Sequence, residues 1–154
     1  MIYRIYNKIL RELYRFRHPL LWGKRLQING IPQIYEYKKL KIGKDVSLNK
    51  NCFFQCQGGI VLEDRVTISR NVTIFTQGLK VDDYRNNSRK RYREHEEKPV
   101  IIEEGTWIAA NVIILPGTKI AKESVVGAGA VVTHSLEEPG CLYAGIPAKK
   151  VRKL

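Results

Sequence analysis

Aliphatic residues recur at every sixth position between Ile102 and Val132, as Ile102, Ile108, Ile114, Ile120, Val126 and Val132. Four residues after each of the first five comes Thr106, Val112, Thr118, Ser124 or Ala130, all small enough for a confined corner. The position directly after each aliphatic is mostly small (Ala109, Ala121, Gly127, Thr133), with Glu103 and Leu115 as departures. A strict period of six fits neither the 3.6-residue helix nor plain strand alternation. It does fit a parallel β-helix, in which one hexad lies on each flat face and three faces complete a coil of about 18 residues. Aliphatics one coil apart then stack at roughly 4.8 Å and fill the interior.

The same pattern starts earlier in the chain. Ile42, Leu48 and Phe54 are six apart, followed by Val46, Cys52 and Gly58. The phase slips by two across Gln57-Gly58-Gly59, a turn-like insertion, and resumes at Leu62, Ile68 and Ile74 with Val66, Val72 and Gly78. Coils are therefore expected over 42–61 and 62–79, with two more over 102–137. Between 77 and 99 the period disappears, and residues 80–98 carry seven basic and five acidic side chains. Because the hexads continue afterwards, this stretch reads as a loop extruded from one corner, able to wall a pocket. Residues 20–40 read as irregular or short-strand material leading into the solenoid.

Residues 1–17 read as one helix. Ile2, Ile5, Tyr6, Ile9, Leu10, Leu13 and Phe16 form an apolar stripe beside Arg4, Lys8, Arg11, Arg15 and Arg17, and Pro19 marks the end. Such a helix can cap the open end of a solenoid or lie on an anionic membrane face, and the two roles are compatible. The chain thus divides into a helix and lead-in cap (1–40), a β-helix (41–137) with an inserted loop (77–99), and a tail (138–154).

Of 154 residues, 27 are Lys or Arg and 15 are Asp or Glu, a formal charge of +12. That excess suits anionic partners such as phosphorylated small molecules, acidic lipid or acidic glycans, or simply a soluble basic surface. No nucleic-acid recognition motif accompanies the charge, so nucleic acid is not expected as a partner. Cys52, Cys56 and Cys141 form no paired motif and read as reduced thiols of a cytoplasmic protein. No apolar run is long enough to span a bilayer, and no signal-peptide core is present.

With repeats, loop and tail in view, the chain resembles the hexapeptide-repeat acyltransferases, and most of all the galactoside, maltose and polysaccharide O-acetyltransferases. The segments that carry the resemblance are Lys98-Pro-Val-Ile-Ile, the run from Thr106 to Gly117, Val126-Gly-Ala-Gly-Ala-Val-Val-Thr133 and Ala144-Gly-Ile-Pro-Ala-Lys149. The resemblance implies an all-β fold, a left-handed parallel β-helix with a short N-terminal amphipathic helix and an extruded loop. It also implies a homotrimer with acetyl-CoA sites in the grooves between neighbouring prisms, and a saccharide or lipid-linked glycan as acceptor. The protein would then work in the cytoplasm, or at the inner face of the membrane.

O-acetylation needs a base to take the proton from a sugar hydroxyl and a donor for the oxyanion, and histidine suits the first role at neutral pH. No nucleophile signature suggests an acyl-enzyme, so direct transfer is the simpler chemistry. His18 and His134 read as surface residues. His95, three residues before Lys98-Pro99, resembles the His-x-x-Lys-Pro arrangement of glycan acetyltransferases and is the candidate base. The sugar acetyltransferases place their histidine at the start of the loop, where this chain has Gln77-Gly78-Leu79. Asn71 matches a family asparagine beside the catalytic centre, or serves as a corner ladder residue. Trp107 matches a groove tryptophan, or packs at a trimer interface. Ala110 and Ala128 match small positions along pantetheine, though the coil also demands small residues. Thr133, Lys149 and Arg152 match contacts near the adenosine end, where basic groups pair with phosphates. A zinc enzyme on this fold would need three histidines at one metal, and His18, His95 and His134 are not spaced for it, so no metal is expected. N-acetylation of an amino sugar is a sibling reading, and a catalytically silent trimeric scaffold is a third.

Overall fold

The computed structural model describes residues 2–17, 25–81, 84–87 and 92–154. The body is a three-faced parallel β-helix. Its first face stacks Gln27–Ile28, Ser47–Leu48, Thr67–Ile68, Trp107–Ile108, Val125–Val126 and Cys141–Ala144, and the antiparallel Lys149–Lys153 closes the far edge. The second stacks Gln33–Tyr35, Phe53–Gln55, Thr73–Phe75, Ile113–Ile114 and Val131–Val132. The third stacks Leu40–Ile42, Ile60–Leu62, Val100–Ile102 and Lys119–Ile120. Parallel pairing therefore reaches upstream to Gln27, into the stretch read from sequence as lead-in.

The hexad column is the core. Ile42, Leu48, Phe54, Leu62, Ile68, Ile74, Ile102, Ile108, Ile114, Ile120, Val126 and Val132 are all buried. Each such side chain contributes about 1.5–3 kcal/mol through loss of contact with water. The corners follow a second rule. A residue with positive φ sits immediately before the small buried one, as in Gly105-Thr106, Asn111-Val112, Gly117-Thr118, Glu123-Ser124 and Gly129-Ala130. The buried hydroxyls there return a hydrogen bond to a carbonyl, Thr106 to Ala121 at 3.3 Å and Thr118 to Leu115 at 2.9 Å.

One part of the sequence reading is corrected at the corner between the second and third faces. In the early coils the buried residues are Cys56 and Thr76, whereas Gly58 and Gly78 lie outside the core. Successive registers there are 20 residues apart (Leu40 over Ile60, Phe54 over Ile74), so two extra residues bulge outward at this corner. The Thr76 hydroxyl ties the bulge down. It donates to the Gln55 carbonyl at 2.5 Å and accepts the Gly58 N–H at 2.8 Å.

The N-terminal helix spans Ile2–Arg17. It touches the solenoid through Tyr14, which packs on the core and donates its hydroxyl to the Pro32 carbonyl at 3.0 Å. Burial pushes the Tyr14 phenol up to about 12.

Candidate active site

The inserted loop leaves and returns through one corner. Lys98 N–H donates to the Thr76 carbonyl at 2.9 Å, and Gln77–Leu79 pairs antiparallel with His95–Glu97. The ribbon extends one step further through the Lys80 N–H and the Glu94 carbonyl at 3.1 Å. Ion pairs line it, Lys98 to Glu96 at 2.9 Å and Lys39 to Glu97 at 3.4 Å. Both pairs are solvent-exposed and worth well under ~1 kcal/mol each; the backbone ladder sets the geometry. Farther out, the Arg93 guanidinium lies 4.8 Å above the Tyr84 ring, next to the helical turn Tyr84–Asn87.

In that ribbon His95 faces Leu79. Directly opposed residues on antiparallel strands project to the same side, with Cβ atoms roughly 5 Å apart. The imidazole therefore occupies the neighbourhood that a histidine at position 79 would occupy. His95 is exposed and free to meet a second molecule.

Asn71 stands at a different corner, between the first and second faces. Its Oδ1 accepts from Asn51 Nδ2 at 3.2 Å, and its Nδ2 donates to Asn111 Oδ1 at 2.9 Å. All three asparagines hold φ near +60° (59°, 58° and 60°), the left-handed conformation that asparagine tolerates best after glycine. Asn71 is thus a rung in a ladder running along the axis. Trp107 lies beside the same corner on the first face, half exposed, its Nε1–H donated to Ser69 Oγ at 3.0 Å. Ala110 and Ala128 follow on that corner one coil apart, where the Gly129 N–H donates to the Ala110 carbonyl at 2.9 Å.

Thr133 belongs to the corner from which the loop emerges, one residue past Val132 on the second face, with its Oγ1 2.9 Å from His134 Nδ1. Lys149 and Arg152 are exposed on the last strand, across from Ala144 and Leu142. The fold therefore groups Asn71, Trp107, Ala110 and Ala128 along one edge of the second face. It places His95 and Thr133 along the other. His18 lies outside the described residues.

Three features escaped the sequence reading. Ser69 anchors Trp107, and the side chains of Tyr35, Phe53 and Phe75 cluster on the second face with ring centroids 5.4 and 6.0 Å apart. The third is Tyr14. The 20-residue spacing from Asn51 to Asn71 and from Tyr35 to Phe75 through Gln55 was the available signal. Burial raises the thiols of Cys52 and Cys56 to about 11 and about 12, so both stay protonated and non-nucleophilic near neutral pH. Among the described residues no group of three or more His, Cys, Asp or Glu is placed to hold a metal ion.

Comparison with known proteins adds a family. A model described as bacterial transferase hexapeptide (six repeats) matches residues 99–134, and one described as hexapeptide repeat of succinyl-transferase matches residues 39–76. A protein of Schizosaccharomyces pombe named "putative acetyltransferase" is 35% identical over 124 residues, covering 80% of this chain and 58% of its own. The chain spans little more than half the length of the curated relatives it matches. Among solved structures, a maltose O-acetyltransferase from Clostridium difficile 630 superposes with a TM-score of 0.78 at 26% identity, over 98% of this chain and 86% of that one. A galactoside acetyltransferase in complex with coenzyme A gives 0.70 at 26% identity, over 83% and 64%. The two hexapeptide-repeat models match the hexads that build the coils, and in sequence and fold the chain is similar to the hexapeptide-repeat acyltransferases.

Proposed function

We propose that the protein is an acetyl-CoA-dependent O-acetyltransferase acting on a saccharide or glycan intermediate, with His95 as general base. The observation that carries this reading is the pairing of His95 with Leu79, which supplies an imidazole at the loop-start position from the returning strand. Neutral His95 takes the proton from an acceptor hydroxyl as its oxygen attacks the thioester carbonyl. A backbone N–H at a corner stabilises the oxyanion. Collapse breaks the C–S bond, and the imidazolium returns its proton to the departing thiolate. The buried, protonated cysteines favour this direct route over an acyl-enzyme.

His95 and Thr133 lie along one edge of the second face, and Asn71, Trp107, Ala110 and Ala128 along the other, which favours a site shared between copies. In a homotrimer, the His95 corner of one prism faces the Asn71, Trp107, Ala110 and Ala128 edge of the next, and pantetheine runs in the groove between them. Lys149 and Arg152 meet the phosphates of CoA. Three free, buried cysteines suit a reducing, cytoplasmic location.

The test is thiol release from acetyl-CoA against a panel of mono- and oligosaccharides, for the wild type and His95→Ala. Acceptor-dependent release that falls by about 100-fold or more in the variant supports the reading. Unchanged release removes His95 from the mechanism. Absence of both turnover and CoA binding favours the scaffold reading, to which Leu79 at the loop start gives some weight.

A further inference from the structure

Most of the apolar stripe of the N-terminal helix lies open to solvent. Ile5, Ile9, Leu13 and Phe16 are 55%, 54%, 60% and 76% exposed, with Tyr6 beside them at 58%. These positions follow one line along the helix, about 24 Å long for its 16 residues. Tyr14 lies on the other side, and it holds that side against the body through Pro32 and the core. A cap reading alone would bury the stripe; here the cap contact is made by a different residue.

A second line runs about a third of a turn around the helix from the first. Positions 4, 8, 11 and 15 carry Arg, Lys, Arg and Arg at helical spacing, and the helix as a whole has five basic residues against one acid, Glu12. An apolar stripe flanked by cations, on a helix too short to span a bilayer, is the composition that settles in the plane of an anionic lipid surface. The apolar side chains then enter the acyl boundary while the cations meet phosphate headgroups. A second copy of this chain is a poorer occupant, because two such helices would bring their basic lines together.

We propose that the N-terminal helix docks the protein on an anionic membrane surface, with Ile5, Ile9, Leu13 and Phe16 inserted and Tyr14 holding the solenoid beneath the headgroups. The proposal is independent of the acyl-transfer reading, since it needs neither CoA nor His95.

The experiment is co-sedimentation of the full chain with phosphatidylcholine vesicles, with and without about one third phosphatidylglycerol. The wild type is expected to bind the anionic vesicles, roughly tenfold or more tighter than phosphatidylcholine alone, and to release as salt rises. Ile9→Glu and Phe16→Glu should each lower binding roughly tenfold or more, and Lys8→Glu should weaken it selectively on anionic vesicles. Their thermal melting and mass by light scattering should match the wild type, because the Ile9 and Phe16 side chains are more than half exposed. Failure of the wild type to bind, or glutamate variants that bind like it, overturns the proposal. So does a drop in oligomeric mass in the glutamate variants with no vesicle binding by the wild type, which assigns the stripe to a second copy.

Discussion

His95 stands directly across a two-stranded ribbon from Leu79, and that ribbon is fastened to the solenoid by the Lys98 N–H to Thr76 carbonyl bond. The relationship gives the chain an imidazole at the mouth of its loop without a histidine at the start of that loop. Moving the histidine to position 79 should therefore be tolerated. The double variant Leu79→His with His95→Leu is expected to keep measurable acceptor-dependent thiol release, whereas His95→Leu alone loses it. Equal inactivity of the two would show that the strands are not interchangeable.

Gly58 sits under the ribbon's root. A Cβ there would come within 2.5 Å of the Thr76 carbonyl oxygen and 2.8 Å of Lys98 N and O. These are backbone atoms that cannot swing away. Gly58→Ala should destabilise the fold by about 1–3 kcal/mol in urea and displace His95, lowering turnover more than CoA affinity. A variant with wild-type stability and rate would mean that the ribbon's root is looser than described.

The asparagine ladder makes a separate prediction. Asn71→Ala loses both side-chain hydrogen bonds and leaves an alanine at φ 58°, for a cost of about 1–2 kcal/mol. Asn71→Gly should recover the conformational part only. If chemical denaturation shows the two variants equally stable, backbone strain at the corner is not what asparagine relieves.

Alkaline pH should weaken the early coils. The folded-state values of Cys52, Cys56 and Tyr14 are raised by burial to about 11, about 12 and about 12, against ordinary values of 9.0, 9.0 and 10.0. The unfolded chain loses these protons first, so stability from these groups is complete below pH 9 and declines as pH climbs through 11 to 12. Melting temperature should fall across that window, and less steeply in Tyr14→Phe. In native protein at pH 8, Cys52 and Cys56 should resist thiol reagents; rapid labelling would contradict their burial.

Much of this was legible in the sequence, and for a definite reason. A solenoid repeats its environment, so the same residue class returns at the same spacing, and every hexad aliphatic from Ile42 to Val132 is indeed buried. Legibility ended where the coil departs from its own period. The 20-residue coils hid the roles of Cys56 and Thr76 and the early start at Leu26 and Ile28. The helix stripe was legible as a pattern and not as a contact, because an amphipathic pattern locates an apolar face without saying what covers it; Tyr14 makes the contact with the body. Cross-strand pairing of His95 with Leu79 joins residues 16 apart through a non-periodic loop, and no spacing rule announces it.

The most direct measurement is a mixed-chain complementation. His95→Ala keeps the Ala128 corner intact, and Ala128→Trp obstructs that corner while leaving the His95 ribbon untouched. Each variant alone should be inactive. Co-expressed at equal amounts, they should regain about a quarter of the wild-type rate, since that share of the interfaces in a random ring unites one sound edge from each chain. No activity in the mixture, with assembly intact, would contradict a site shared between copies.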